Sequence, residues 1–132
     1  MSERVVHPPL TVINLAAEGA ASTEPYRNVV INRVNESCLR LATFEVEYRW
    51  HFHPDSDELF IVVDGTLEID FVNEPTLYLR AWDMITIPAA VVHRTRARGR
   101  TVNLTFEHLD AATTFVDDPT NPGTVDVENG RL

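Results

Sequence analysis

The sequence has no lysine, a single cysteine and no long apolar run. All 11 basic residues of the 132-residue chain are arginine, which excludes Schiff-base chemistry and a lysine general base. Cys38 has no second cysteine to pair with, so an internal disulfide and a cysteine-cluster metal site are excluded as well. No stretch approaches the roughly 20 apolar residues that span a bilayer, and we therefore expect no membrane segment.

Basic residues are scarce beside acidic ones. The chain carries 11 basic and 20 acidic residues, a net charge of −9 at pH 7, and such a charge repels phosphate backbones. We therefore expect no nucleic-acid partner. The N-terminus, Met1-Ser2-Glu3-Arg4, is not followed by an apolar signal core, and on this ground we expect a cytoplasmic protein.

Helical periodicity is nearly absent, apart from a weak helical turn near residues 16–21. From residue 29 the chain instead reads as short β-type runs separated by turn signals such as Asp64-Gly65, which predicts a hairpin. The predicted strands cover residues 29–34, 37–52, 59–63, 66–72, 76–79, 84–87, 91–95 and 101–109. Eight short strands with regular turns predict an all-β sandwich or barrel.

The length and the pattern predict one folded domain with two flanking segments. Residues 1–28 form an irregular N-terminal segment, and residues 29–109 form the barrel. Residues 110–132 contain five acidic residues and one arginine, a net charge of −4. We interpret them as an acidic C-terminal tail that is mobile or packed along the surface.

The run Trp50-His51-Phe52-His53-Pro54-Asp55-Ser56-Asp57-Glu58 carries the most chemical information. Residues i and i+2 of a strand share a face, so His51 and His53 project to the same side. Glu58 is placed to reach them from the next strand, and His93 begins a later one. Three imidazoles and a carboxylate suit one divalent Fe, Mn, Ni or Zn ion. In an octahedral shell, two coordination positions then stay open.

At these residues the sequence resembles the cupin superfamily. In its first motif, G-x5-H-x-H-x3-4-E-x6-G, His51, His53, Glu58 and Gly65 fall in register. In its second motif, G-x5-P-x-G-x2-H-x3-N, Pro88 and His93 fall in register. The departures are Glu45, Trp82 and Ala90 at motif glycines and Ala97 at the asparagine. The resemblance covers roughly residues 40–108 and implies a single jelly-roll (double-stranded β-helix) barrel with metal ligands His51, His53, Glu58 and His93.

The resemblance has a narrower part in the run from His53 to Phe60, which is similar to a group of small single-domain bacterial cupins. Some of these are labelled after mannose-6-phosphate isomerase, and others accompany aromatic polyketide biosynthesis. It implies a metal-dependent enzyme acting on a small organic molecule, either an Fe(II)-type oxygenase or a metal-assisted isomerase or cyclase. The alternative is a non-catalytic cupin that binds a small molecule or a sugar.

Residues 44–53 alternate between apolar and polar side chains. Strict alternation places Arg49 and Glu47 on the face of the histidines, where we expect them to be catalytic residues that orient a small-molecule substrate. The alternatives are a bulge that resets the register, or an ion pair of the two at the barrel rim. The opposite face carries Phe44, Val46, Tyr48, Trp50 and Phe52. Such a face needs a cover, and we expect a homodimer, with the N-terminal segment as the alternative cover.

Overall fold

A computed structural model describes residues 7–120 and 125–128. This part of the chain contains one short helix, α1 (Leu15–Ala20), and eleven strands. The strands are β1 (Tyr26–Val34), β2 (Ser37–Phe44), β3 (His51–Phe52), β4 (Glu58–Asp64), β5 (Thr66–Phe71), β6 (Leu77–Arg80), β7 (Met84–Ile87), β8 (His93–Ala97), β9 (Thr101–His108), β10 (Thr113–Val116) and β11 (Val125–Glu128). The weak helical turn of the sequence corresponds to α1, whose N-cap residue Asn14 accepts a hydrogen bond from the backbone of Ala17.

The strands form two antiparallel sheets that face each other. The first sheet has the order β1-β2-β9-β4-β7, and the second has the order β11-β10-β3-β8-β5-β6. The chain passes repeatedly from one sheet to the other, as in a jelly roll. The predicted all-β, double-stranded β-helix architecture is therefore confirmed.

Strict alternation along the strands builds the core between the sheets. In β4, Glu58, Phe60 and Val62 are buried, whereas the residues between them are only half-buried. A second apolar cluster lies on the outer face of the first sheet, where Ile13 and Leu15 of the N-terminal segment cover it. Burial of such side chains contributes about 1.5–3 kcal/mol each, an upper estimate.

The predicted hairpin at Asp64-Gly65 is wrong. β4 belongs to the first sheet and β5 to the second, so these two residues form the corner at which the chain changes sheets. Gly65 has φ +86°, and a Cβ there would lie 2.6 Å from the carbonyl oxygen of Arg100. The corner therefore requires glycine for both conformation and space.

The segment after residue 109 is not a tail in the part that the structure describes. β10 pairs with β3, and Phe115 lies directly opposite His51 with no exposed surface. β11 pairs with β10 and extends the second sheet. The β-branched and aromatic run Thr113–Val116 favours a strand, but the acidic residues on either side of it obscured that signal. At the other end, β1 begins at Tyr26, before the predicted boundary.

The apolar side chains of the predicted dimer face do not share a face. Residues 45–50 lie between β2 and β3 rather than on one continuous strand, so the alternation resets. Phe44 is buried in the core, Val46 is 39% exposed, and Tyr48 turns toward the barrel interior, its amide bonded to the Thr95 carbonyl at 2.9 Å. The prediction that these side chains form one apolar dimer face is therefore wrong, whereas the homodimer itself stays a prediction.

Two of the three residues that replace motif glycines adopt a backbone conformation typical of glycine. Trp82 has φ 72° and Ala90 has φ 69°, both in the left-handed region that favours glycine. The amide of Ala90 donates to the carbonyl of His53 at 2.8 Å, which ties this turn to the histidine-bearing strand. The turn geometry is therefore maintained at a cost in backbone strain.

Replacing Ala90 with glycine is expected to raise the free energy of unfolding by about 0.5–1 kcal/mol, because glycine adopts a positive φ without strain. The change corresponds to about 2–4 °C in Tm, measured by calorimetry. Ala89→Gly is the matched control, since Ala89 is not among the described residues with positive φ. That control is expected to be neutral or destabilising. Equal effects of the two variants would contradict the strain at residue 90.

Candidate metal centre

The fold brings His51, His53, Glu58 and His93 to one place, and we call these residues the His–Glu cluster. His51 begins β3, and His53 follows that strand on the same face. Glu58 is the first residue of β4 in the opposite sheet, and His93 is the first residue of β8, directly across from His51. The clustering expected from the sequence is confirmed: one ligand atom from each residue lies within 4.8 Å of the others.

The cluster is almost completely buried. The exposed fractions of the four residues, in chain order, are 5%, 3%, 3% and 1%. Glu58 Oε1 lies 3.1 Å from Nε2 of His53 and 3.3 Å from Nε2 of His93. A buried carboxylate among three imidazoles requires a compensating positive charge, either a proton or a metal ion.

Backbone carbonyls determine which nitrogen each imidazole turns to the cluster. Nδ1 of His51 lies 2.7 Å from the carbonyl oxygen of Arg49, and Nδ1 of His93 lies 2.9 Å from that of Val91. Nδ1 of His53 is likewise 3.0 Å from the carbonyl oxygen of Ala112. Because a carbonyl only accepts, Nδ1 must carry the hydrogen and donate it. The lone pair of every neutral imidazole is thereby placed on Nε2, as metal-binding histidines require.

The protonation state of His51 also suits a metal ion. Burial is the largest effect that lowers the pKa of His51 well below its ordinary value, and the neighbouring His93 acts in the same direction. His51 is therefore neutral at pH 7, which is the form that binds a metal. Nε2 of His93 is buried and has no hydrogen-bond partner within the described part of the chain. The donor set fits a divalent transition metal.

Aspartate side chains hold the loops that carry the cluster. Asp57 Oδ1 accepts a hydrogen bond from the amide of Ala89 at 2.8 Å, which fixes the turn before His93. Asp55 Oδ1 accepts from the amide of Ala112 at 3.1 Å, and Ala112 is the residue whose carbonyl orients His53. The acidic run between His53 and Glu58 thus serves positioning.

A small cavity of about 40 Å³ opens beside the cluster. His51 and Glu58 form one wall, so a bound molecule would lie against the face at which the ligand atoms converge. Tyr48 stands edge-on to the imidazole of His51, with ring centres 5.0 Å apart, and stacks on Tyr26 at 5.8 Å. The other lining residues are Asn28, Phe44, Phe60, Thr95, Asn103, Thr105 and Thr113.

Arg49 and Glu47 do not line this cavity, and their expected placement on the face of the histidines is wrong. The side chain of Arg49 is 50% exposed, lies 3.7 Å from Asp117 and covers the ring of Phe115. The side chain of Glu47 is 56% exposed and pairs with Arg94 at 3.0 Å. The physical reason is the irregular segment 45–50, which breaks the alternation. A catalytic role for either residue is untested.

Several buried polar residues of the interior were missed by the sequence reasoning. Asn103 and Thr105 project inward from β9, between the outward-facing Val102, Leu104 and Phe106. Polar residues at period two within an apolar strand are the signal that would have revealed them. Arg40 and Glu107 form a fully buried ion pair at 2.9 Å. Their separation of 67 positions in the sequence hides the pairing.

The fold and this site define the chain as a cupin. Residues 40–109 match the Cupin_2 family model, described as "Cupin domain", and the chain belongs to this family. The sequence is 50% identical over 105 residues to a Bacillus subtilis (strain 168) protein named "Uncharacterized protein YdbB". That match covers 80% of this chain and 93% of the relative.

Solved structures agree with this assignment. A cupin-2 domain containing protein from Shewanella frigidimarina NCIMB 400 is 33% identical, with a TM-score of 0.69, and the match covers 74% of this chain and 94% of that one. Protein NMB1881 from Neisseria meningitidis is 28% identical, with a TM-score of 0.68 and coverages of 74% and 99%. Across residues 7–120 and 125–128, no helix is long and apolar enough to cross a membrane.

Proposed function

We propose that this cupin is a metal-dependent enzyme acting on a small oxygen-bearing organic molecule. One observation carries the proposal: three Nε2 atoms, oriented by backbone carbonyls, converge with a buried carboxylate on the wall of a cavity. A purely structural cluster would not need to adjoin space for a ligand. Four protein ligands leave open positions on an octahedral ion, which is the arrangement of a catalytic rather than a structural metal.

Different residues would bind the metal ion, form the apolar walls of the cavity and offer polar contacts to a substrate. His51, His53, His93 and Glu58 would hold the ion, which when bound supplies Lewis acidity or, as Fe(II), reactivity toward dioxygen. Phe44 and Phe60 form apolar walls of the cavity. Thr105 and Asn103 present polar atoms to a bound molecule. The pairing of apolar walls with a few polar groups is typical of a site that orients a small substrate.

The experiment is a metal-by-metal activity screen. The apo protein is reconstituted separately with Fe(II), Mn(II), Ni(II) or Zn(II) and incubated with small hydroxylated carbonyl compounds, with and without dioxygen. We expect one metal to give product, by mass spectrometry, at a rate at least about tenfold above the apo protein. Product only with dioxygen indicates an oxygenase, and product without it indicates an isomerase or cyclase.

The same screen tests the alternative. A non-catalytic cupin that binds a small molecule or sugar is favoured by the small volume of the cavity, about 40 Å³. If every metal-loaded form binds compounds but converts none of them, the enzyme proposal is wrong and the binding function replaces it. The narrower resemblance to mannose-6-phosphate isomerase-like cupins, the homodimer and the cytoplasmic location stay predictions.

A further inference from the structure

Two asparagine residues that line the cavity have amide oxygens without a hydrogen-bond partner within the described part of the chain. Asn103 Oδ1 and Asn28 Oδ1 are buried and have no hydrogen-bond partner within the described part of the chain. Asn103 is only 1% exposed. Both residues line the cavity that His51 and Glu58 close on another side. A buried, unpaired amide oxygen is costly to the free protein, and a ligand that hydrogen-bonds to it removes that cost.

The sheet places the two amides in a single row. Asn28 of β1 pairs with Ala42 of β2, and Ala42 pairs in turn with Asn103 of β9. The backbones of the two asparagines stand two strand spacings, about 10 Å, apart, and the residue between them, Ala42, has a small side chain. Each amide nitrogen is already used: Asn28 Nδ2 donates to the Tyr26 hydroxyl at 3.4 Å, and Asn103 Nδ2 donates to Thr105 Oγ1 at 3.1 Å. These bonds leave each amide oxygen as the group that can accept a hydrogen bond from a ligand.

We infer that Asn28 and Asn103 are specificity-determining residues that recognise two hydroxyl groups of an uncharged substrate whose third oxygen faces the His–Glu cluster. This inference rests on the proposed function. The cavity of about 40 Å³ accommodates about three water-sized groups, which matches one metal-facing oxygen and two hydroxyls. Among the described residues, no cationic side chain lines the cavity, so these residues offer no partner for a substrate anion. The substrate class is a short hydroxylated carbonyl compound.

The test uses the cobalt(II)-loaded full chain and three probes: dihydroxyacetone, hydroxyacetone and acetone. Paramagnetic broadening of the probe proton signals gives the dissociation constant of each probe. We expect dihydroxyacetone to bind at least about tenfold more tightly than acetone, with hydroxyacetone between them, because each hydroxyl pairs with one amide. In the Asn28→Leu/Asn103→Leu variant this preference is expected to fall below about threefold.

If Asn28 and Asn103 had only a structural role, the result would be different. Leucine approximates the shape of asparagine without leaving a buried oxygen unpaired, so the variant is expected to keep its cobalt and its Tm, or to gain in Tm. Asn32→Leu is the matched control. Asn32 Oδ1 is also buried and unpaired within the described residues, yet it lies on β1 beside His7, outside the cavity. Its probe preference should match that of the unmodified protein.

The outcomes separate the two proposals. If the unmodified protein holds no cobalt, the proposed function fails and this inference fails with it. If the protein holds cobalt but shows no preference for the hydroxylated probes, or if the double variant keeps the preference, only the roles of Asn28 and Asn103 are overturned. A large fall in Tm of the variant also overturns them, because it identifies the amides as structural.

Discussion

Replacing His51 and His53 together with alanine is expected to weaken binding of a divalent transition metal by more than about a hundredfold, which exceeds the loss caused by removing a group that only orients a metal ligand. The unmodified protein is expected to hold close to one ion per chain. Both imidazoles offer Nε2 to the same point, and Glu58 and His93 alone make a poor site. Elemental analysis after dialysis compares the metal content of the variant with that of the unmodified protein.

The matched control removes two histidines outside the cluster, as His7→Ala/His108→Ala. His108 is exposed at the end of β9, and His7 pairs with Glu18 at 2.7 Å, away from the cavity. This variant is expected to keep its metal. Circular dichroism of the His51/His53 variant should retain its β-type signal, since the strands around the cluster are paired along their backbones. Full metal occupancy in that variant would show that the site is elsewhere.

Arg40→Leu is expected to lower the free energy of unfolding by about 3–5 kcal/mol, the largest stability loss among these variants. Arg40 and Glu107 are fully buried and lie 2.9 Å apart, on adjacent strands of the first sheet. Removing the guanidinium leaves the Glu107 carboxylate in the interior without this charge partner, and its desolvation is then poorly compensated. Urea denaturation followed by fluorescence measures the loss.

The double variant Arg40→Leu/Glu107→Leu is the control for this pair. Because both charges are removed, its stability is expected to return to within about 1–2 kcal/mol of the unmodified protein, or to exceed it. Recovery of this kind shows that the stability loss in Arg40→Leu comes from the Glu107 carboxylate, which has lost its charge partner. A single variant that loses less than about 1 kcal/mol would contradict the burial of the pair.

Local patterns predict much of this fold. The period-two alternation of β4 predicts a strand with one buried face, and the structure has it there. The spacing of His51, His53, Glu58 and His93 identifies the cluster because two histidines on one strand must share a face, whatever the rest of the fold. The replaced glycines at Trp82 and Ala90 left the turn conformation unchanged, since hydrogen bonds such as that from Ala90 to His53 maintain it.

Features that depend on distant contacts are less predictable. Alternation alone placed Arg49 among the histidines, but the chain leaves the first sheet after Phe44 and enters the second at His51, so the phase is lost between them. Gly65 carries a hairpin signal although its neighbours pair in different sheets. The burial of Phe115 depends on pairing with β3, more than 60 residues earlier. No local sequence pattern predicts such long-range pairing.

The most direct test of the metal centre is a crystal structure of the protein grown with a divalent transition metal, with diffraction data on both sides of the absorption edge of that metal. One anomalous peak is expected per chain, bound by Nε2 of each cluster histidine at about 2.0–2.1 Å and by the Glu58 carboxylate at about 2.0–2.2 Å, distances typical of zinc. The peak should border the cavity lined by Asn28 and Asn103. A peak elsewhere, or none in a protein that elemental analysis shows to be loaded, would contradict the account.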